Sequence, residues 1–156
     1  MFKKILVPVD FSRQSLKAVE VAVNVAKNFG SEVIVLHAVQ SLTGIAPIGP
    51  SAMSTVTDEK KKTLEEERLE YEKKQGLIAK NMLENVASSF RKENIDVDSE
   101  IVTGNPAETI IRFAEAMGAD LIIMGSKGES EIKRFSMGSV CDKVIHNVRC
   151  NVLVIR

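Results

Sequence analysis

The chain has 156 residues, 44% of them apolar and 27% charged, and its 21 basic and 21 acidic side chains give a formal net charge of zero. That length makes one domain, or one domain plus an excursion, able to bury roughly 68–70% of its unfolded surface without disulfides or metal. The zero balance, the 4% aromatic content, the absence of Trp and the presence of only two His and two Cys argue against a general nucleic-acid binder, a polybasic membrane binder and most structural zinc sites.

Met1 to Asp10 reads as a strand built on Ile5-Leu6-Val7-Pro8-Val9. It carries no secretory pattern, and no run approaches the length of a membrane span, so a cytoplasmic protein without membrane contact is expected. Leu16, Val19, Val23, Ala26 and Phe29 recur at helical spacing, with Gly30 placed to close the helix. Val33-Ile34-Val35-Leu36 is the second strand, with His37 at its end. Gln40 to Val56 holds Gly44, Pro47, Gly49 and Pro50 and little charge, which reads as a mobile loop.

Thr57 to Asn94 is helix-like for up to 38 residues. Its first part, Asp58 to Lys74, has seven acids and six bases and reads as a solvated face laced by i,i+4 pairs. Its second part has a core stripe at Leu83, Val86 and Phe90. A straight helix of that length would reach about 57 Å, longer than the domain is wide, so a break near Gly76 or a protruding first half is expected. The excursion from the compact unit thus covers residues 40–76.

Val97, Ser99 and Ile101 alternate with Asp96, Asp98 and Glu100 to give the third strand. The next helix opens with Asn105 as N-cap, Pro106 at the first position and Glu108 at the third. It presents Ala107, Ile110, Ile111, Ala114 and Met117 and ends at Gly118. Leu121-Ile122-Ile123-Met124 is the fourth strand. Val140, Val144, Ile145 and Val148 mark the last helix, and Val152-Leu153-Val154-Ile155 is the fifth strand. Strictly alternating strands and helices imply an α/β fold, a mostly parallel sheet with helices on both faces and right-handed crossovers.

In such a sheet, ligands sit beyond the carboxyl ends of the strands where strand order reverses. Two strand ends are suited to this. The first is Pro8-Val9-Asp10-Phe11-Ser12, and the second is Met124-Gly125-Ser126-Lys127-Gly128. After nine intervening residues Gly138-Ser139 opens the last helix. Gly125 and Gly128 let backbone amides approach an anion, and the helix start at Gly138 and Ser139 favours negative charge. Ser126 and Ser139 add hydroxyls, and Lys127, Lys133 and Arg134 are charge partners for phosphates. Asp10 suits ribose hydroxyls or a magnesium ion. Pro8, Val9, Val39 and Met124 can form an apolar slot for a base. The remaining polar and sulfur groups read as ordinary. His37 and His146 suit structural or surface roles, Cys141 and Cys150 suit reduced thiols, and Met117 and Met137 suit core filling.

ILVPVD at the start, MGSKG and MGSV near the end, and the order of elements over essentially the whole chain resemble the universal stress protein family, in its ATP-binding branch. The resemblance implies one Rossmann-like domain over residues 1–156, with an open five-stranded parallel sheet in the order 3-2-1-4-5. It implies adenine and ribose contacts near Pro8, Val9 and Asp10 and an apolar contact near Val39. It implies phosphate contacts at Gly125, Ser126, Gly128, Gly138, Ser139 and Val140, with Met124 at the strand end. The cofactor would be ATP, or ADP or AMP, with magnesium. It also implies homodimers. The residues agree, because Val152 to Ile155 would be an edge strand without the charges that guard the third strand. Lys127 stands where many ATP-binding members carry His. Glu129 and Glu131 oppose the charge of Lys127, Lys133 and Arg134.

The function expected is an adenine-nucleotide-binding regulatory protein with little or no hydrolysis, because no general base, Walker lysine or acidic pair for two metals is evident. The alternatives are a dimeric interaction protein without nucleotide, which the two Glu residues favour, and a slow ATPase or nucleotidyl-transfer enzyme.

Overall fold

The computed structural model describes residues 1–39, 58–127 and 137–156. Nine elements follow one another: β1 (Lys4–Pro8), α1 (Arg13–Phe29), β2 (Glu32–Val39), α2 (Asp58–Arg91), β3 (Val97–Thr103), α3 (Pro106–Met117), β4 (Leu121–Gly125), α4 (Ser139–Asn147) and β5 (Asn151–Ile155). The strands form one parallel sheet in the order β3-β2-β1-β4-β5. The chain builds outward from β1 to β3 on one side, then returns to the other side of β1 to lay down β4 and β5. The carboxyl ends of β1 and β4 therefore flank the point where the direction of winding reverses.

Strand residues alternate between two cores because successive side chains point to opposite faces. Ile5, Val7, Val33, Val35 and Ile123 pack with α1 and α2, around the fully buried Phe90. Leu6, Leu36, Ile122 and Met124 pack with α3 and α4. Each large apolar side chain removed from water in this way contributes roughly 1.5–3 kcal/mol. Covering on both faces is why the central strands read as continuous apolar runs.

The helix ends follow the expected chemistry. Asn105 caps α3 by accepting the Glu108 amide at 3.2 Å, with Pro106 in the first turn. Gly30 and Gly118 close α1 and α3 in the left-handed conformation, at φ 63° and 65°. The buried face of α1 differs from the expected stripe. Ser15, Ala18, Val19, Ala22 and Ala26 face the sheet, while Leu16 and Phe29 are exposed. Small side chains let this helix lie close to the strands, and Phe29 instead meets the edge of Phe2 at 5.3 Å.

α2 runs unbroken through Gly76 for 34 residues, about 51 Å at 1.5 Å per residue. Of the two expectations for this segment, the protruding half holds and the break does not. Between Thr63 and Met82 every described side chain except Ala79 is exposed, and burial begins only at Leu83. Two smaller expectations fail. Ile101 is exposed, since Val102 turns toward the α3 core instead, and Met137 is exposed while Met117 does pack on that core. The expected loop over residues 40–56 lies outside the described residues.

Candidate functional site

The first wall of the site is the end of β1. Val9 continues the ladder by donating its amide to the Leu36 carbonyl at 2.9 Å. Asp10 follows as an exposed residue whose Oδ1 accepts the Ser12 amide at 3.0 Å. Between them Phe11 turns the chain with φ 64°. Ser12 then caps α1, its hydroxyl accepting the Ser15 amide at 3.2 Å. Strand, turn and helix are thus joined by a short series of hydrogen bonds that fixes where the Asp10 carboxylate stands.

The second wall is the end of β4. A Cβ on Gly125 would come within 2.9 Å of the Gln14 carbonyl carbon and the Ser15 amide nitrogen, so only glycine lets β4 meet the start of α1. Ser126 is buried and fully engaged. Its amide donates to the Ile155 carbonyl at 2.7 Å, its carbonyl accepts the Gly138 amide at 2.7 Å, and its hydroxyl donates to Gln14 Oε1 at 3.2 Å. Gly138 begins α4 without a capping side chain. The amides of a first helical turn have no partners inside the helix, and the macrodipole makes that end attractive to anions.

These two walls enclose one cavity of about 410 Å³. It is lined by Pro8, Val9, Asp10, Met124, Gly125, Ser126, Lys127, Gly138, Ser139 and Val140, all named from the sequence. Val39 does not line it. The period of two along β2 puts Leu36 and Ala38 on the cavity side and Val39 on the other. Gly128, Glu129, Glu131, Lys133 and Arg134 lie outside the described residues. Ser15, Pro106, Ile110 and Cys141 also line the cavity and were not expected there. The first belongs to the α1 start, and the other three come from α3 and α4 folding over the sheet, which no local spacing reveals.

Asp10 is the single carboxylate and Lys127 the single cation among the described lining residues. Among the described residues no three His, Cys, Asp or Glu side chains meet as a protein-only metal site requires. His37 is tied to the Val9 carbonyl at 2.8 Å, and His146 to the Asp142 carbonyl at 2.8 Å on the exposed face of α4. Cys141 is buried and Cys150 half-buried, and neither is in a disulfide. Two groups near the opposite end of the sheet have shifted pKa values. Burial raises that of Cys150, and the amides of Lys4 and Lys3 lower that of Asp120. Among the described residues, no helix is long and apolar enough to cross a membrane.

Comparison with known proteins agrees with this architecture. The family model described as universal stress protein family matches residues 1–156. Universal stress protein MJ0531 of Methanocaldococcus jannaschii is 33% identical over 156 residues, covering 100% of this chain and 83% of that protein. The solved structure of MJ0577 from the same organism superposes with a TM-score of 0.75 at 33% identity, covering 99% of this chain and 96% of that one. A universal stress protein solved with cAMP (20% identity, TM-score 0.66, 99% of this chain and 97% of that one) shares the fold. So does the Archaeoglobus fulgidus protein solved with dAMP (23%, TM-score 0.62, 100% and 98%). With its sheet order, its two-walled cavity and a full-length match to the family model, this chain belongs to the universal stress protein family.

Proposed function

We propose that this protein binds an adenine nucleotide in the cavity between β1 and β4 and acts as a homodimeric regulatory protein of the stress response. ATP is the leading ligand, with ADP and AMP as alternatives. The observation that carries the reading is the meeting of Asp10 and Gly138 in one cavity, from opposite ends of the chain. A volume of about 410 Å³ lies within the range of small-molecule sites. The base would lie on Pro8, Val9, Leu36, Ala38 and Met124, and the ribose would meet Asp10. The phosphates would meet Gly125, Ser126, Gly128, Gly138, Ser139 and Val140, with Lys127 as counter-charge. Complexes of family members with cAMP and dAMP support an adenine nucleotide as the ligand class.

Magnesium fits this donor set only in company with the nucleotide. Mg²⁺ keeps several waters and commonly takes one or two carboxylates plus phosphate oxygens, and Asp10 supplies the one carboxylate. Bound there, the ion would neutralise phosphate charge. In this reading the nucleotide is held with little or no hydrolysis. We read the chain as one nucleotide-binding unit over residues 1–156, placed in the cytoplasm. The dimer would pair through the outer edge of β5, which has β4 on one side and no neighbouring strand among the described residues on the other.

Thermal unfolding with and without Mg-ATP tests the binding. A ligand at about 100 times its Kd stabilises by about 2.7 kcal/mol, so a clear rise in Tm is expected. Denaturing the purified protein should also release any carried nucleotide, identified by mass. Gly138→Val should abolish the shift while leaving the unliganded Tm near that of the parent. No shift at millimolar Mg-ATP would favour an interaction protein on the same fold, and steady phosphate release at enzyme-like rates would favour an ATPase.

A further inference from the structure

Val9 and Phe11 bracket Asp10, and one imidazole holds both. His37 Nδ1 lies 2.8 Å from the Val9 carbonyl oxygen. A carbonyl oxygen only accepts, so Nδ1 carries the proton and donates. The same ring stands 4.5 Å from the Phe11 ring, centroid to centroid, with the planes at 45°. Phe11 has φ 64°, a left-handed conformation that bulky aromatic residues rarely adopt. Such a conformation persists only where surrounding contacts over-determine it. Those contacts here are the His37 ring on one side and the Asp10-to-Ser12 hydrogen bond on the other. His37 itself is half-buried and does not line the cavity.

We infer that His37 is a positioning residue for Asp10: by gripping the residues before and after it, the imidazole holds the Asp10 carboxylate at the cavity mouth. The inference rests on the reading above, in which Asp10 meets the ribose or its metal. It goes further by assigning the fixed geometry of that carboxylate to a side chain of the neighbouring strand. The donor at Nδ1 is the principal grip, because it fixes the backbone immediately before Asp10. The ring contact is secondary.

Two variants separate these parts. His37→Asn offers an amide N–H near the place of Nδ1 but no ring, whereas His37→Phe keeps a ring and loses the donor. In the unliganded protein, amide hydrogen exchange at Asp10, Phe11 and Ser12 should rise about tenfold in His37→Phe, and return most of the way in His37→Asn. Exchange at Leu121 to Met124 should stay unchanged as the control for the fold. Mg-ATP affinity should fall about tenfold in His37→Phe and recover in His37→Asn. The loss should vanish when His37→Phe is made in an Asp10→Asn background.

Unchanged exchange at residues 10–12 in His37→Phe overturns the inference. So does an equal loss of affinity with and without the Asp10 carboxylate. If the parent protein binds no nucleotide, the ligand assignment fails by itself. The exchange measurement then decides alone: raised exchange confined to the turn upholds the grip, and unchanged exchange removes it.

Discussion

Asp120 precedes β4, and its Oδ2 accepts the amides of Lys3 and Lys4 at 2.9 and 3.0 Å. Those two bonds are the main reason its pKa lies below the ordinary value of 3.8. A carboxylate whose folded pKa is depressed adds stability above its unfolded pKa, and that stability is lost as pH falls through the folded value. Asp120→Asn should therefore lower Tm at pH 7, and the gap to the parent should narrow as pH falls below about 3.8. Thermal scans across that window check the sign, and a gap that widens on acidification would contradict it. Gly125 shows what one residue can and cannot disclose in advance. Its place after an apolar run and before Gly128 and Gly138 pointed to a site, and it does line the cavity. Its closeness to Gln14 and Ser15 is a second demand for glycine that no local pattern carries. Cys141 and Ile110 were illegible for the same reason, because folding brings them to the cavity from separate helices.

At the scale of elements, α2 is the least conventional part of the fold. Its last turns hold Leu83, Val86 and Phe90 in the core, while Leu69, Tyr71, Leu77 and Ile78 stand exposed farther out. Gly76 lies within the exposed stretch in ordinary helical conformation, and a Cβ there would meet nothing within 4 Å. Glycine costs roughly 0.5–1 kcal/mol in a helix relative to alanine. Gly76→Ala should therefore raise helix content and stabilise α2 by about that amount, read from circular dichroism on heating. A loss of helicity would show that the residue serves some need for glycine. The existence and order of the elements were readable because period and capping are local. The face of α1 was not, since packing distance to the sheet selected its small residues over Leu16 and Phe29. The alternation along β2 leaves Val39 off the cavity side, where Leu36 and Ala38 stand.

For the molecule as a whole, the two sheet edges are treated differently. β3 exposes Asp98 and Glu100 along its edge, whereas β5 exposes Leu153 and half-buries Val152, Val154 and Ile155. Exposed apolar edges invite another strand, and charge discourages one. Light scattering at high micromolar concentration should accordingly give twice the mass of one chain, through antiparallel pairing of β5 with its copy. A stable monomer there would remove the homodimer from the proposal.

Ser126 makes the β5 edge and the cavity neighbours in a literal sense. Its amide is bonded to the terminal carbonyl of the outermost strand, and its own carbonyl holds Gly138, the N-cap of the helix that faces the cavity. A shift of β5, from whatever docks against it, is thus handed across a single residue to the mouth of α4. The rim of the molecule and its interior hollow share one joint, and neither can be displaced far without the other registering it.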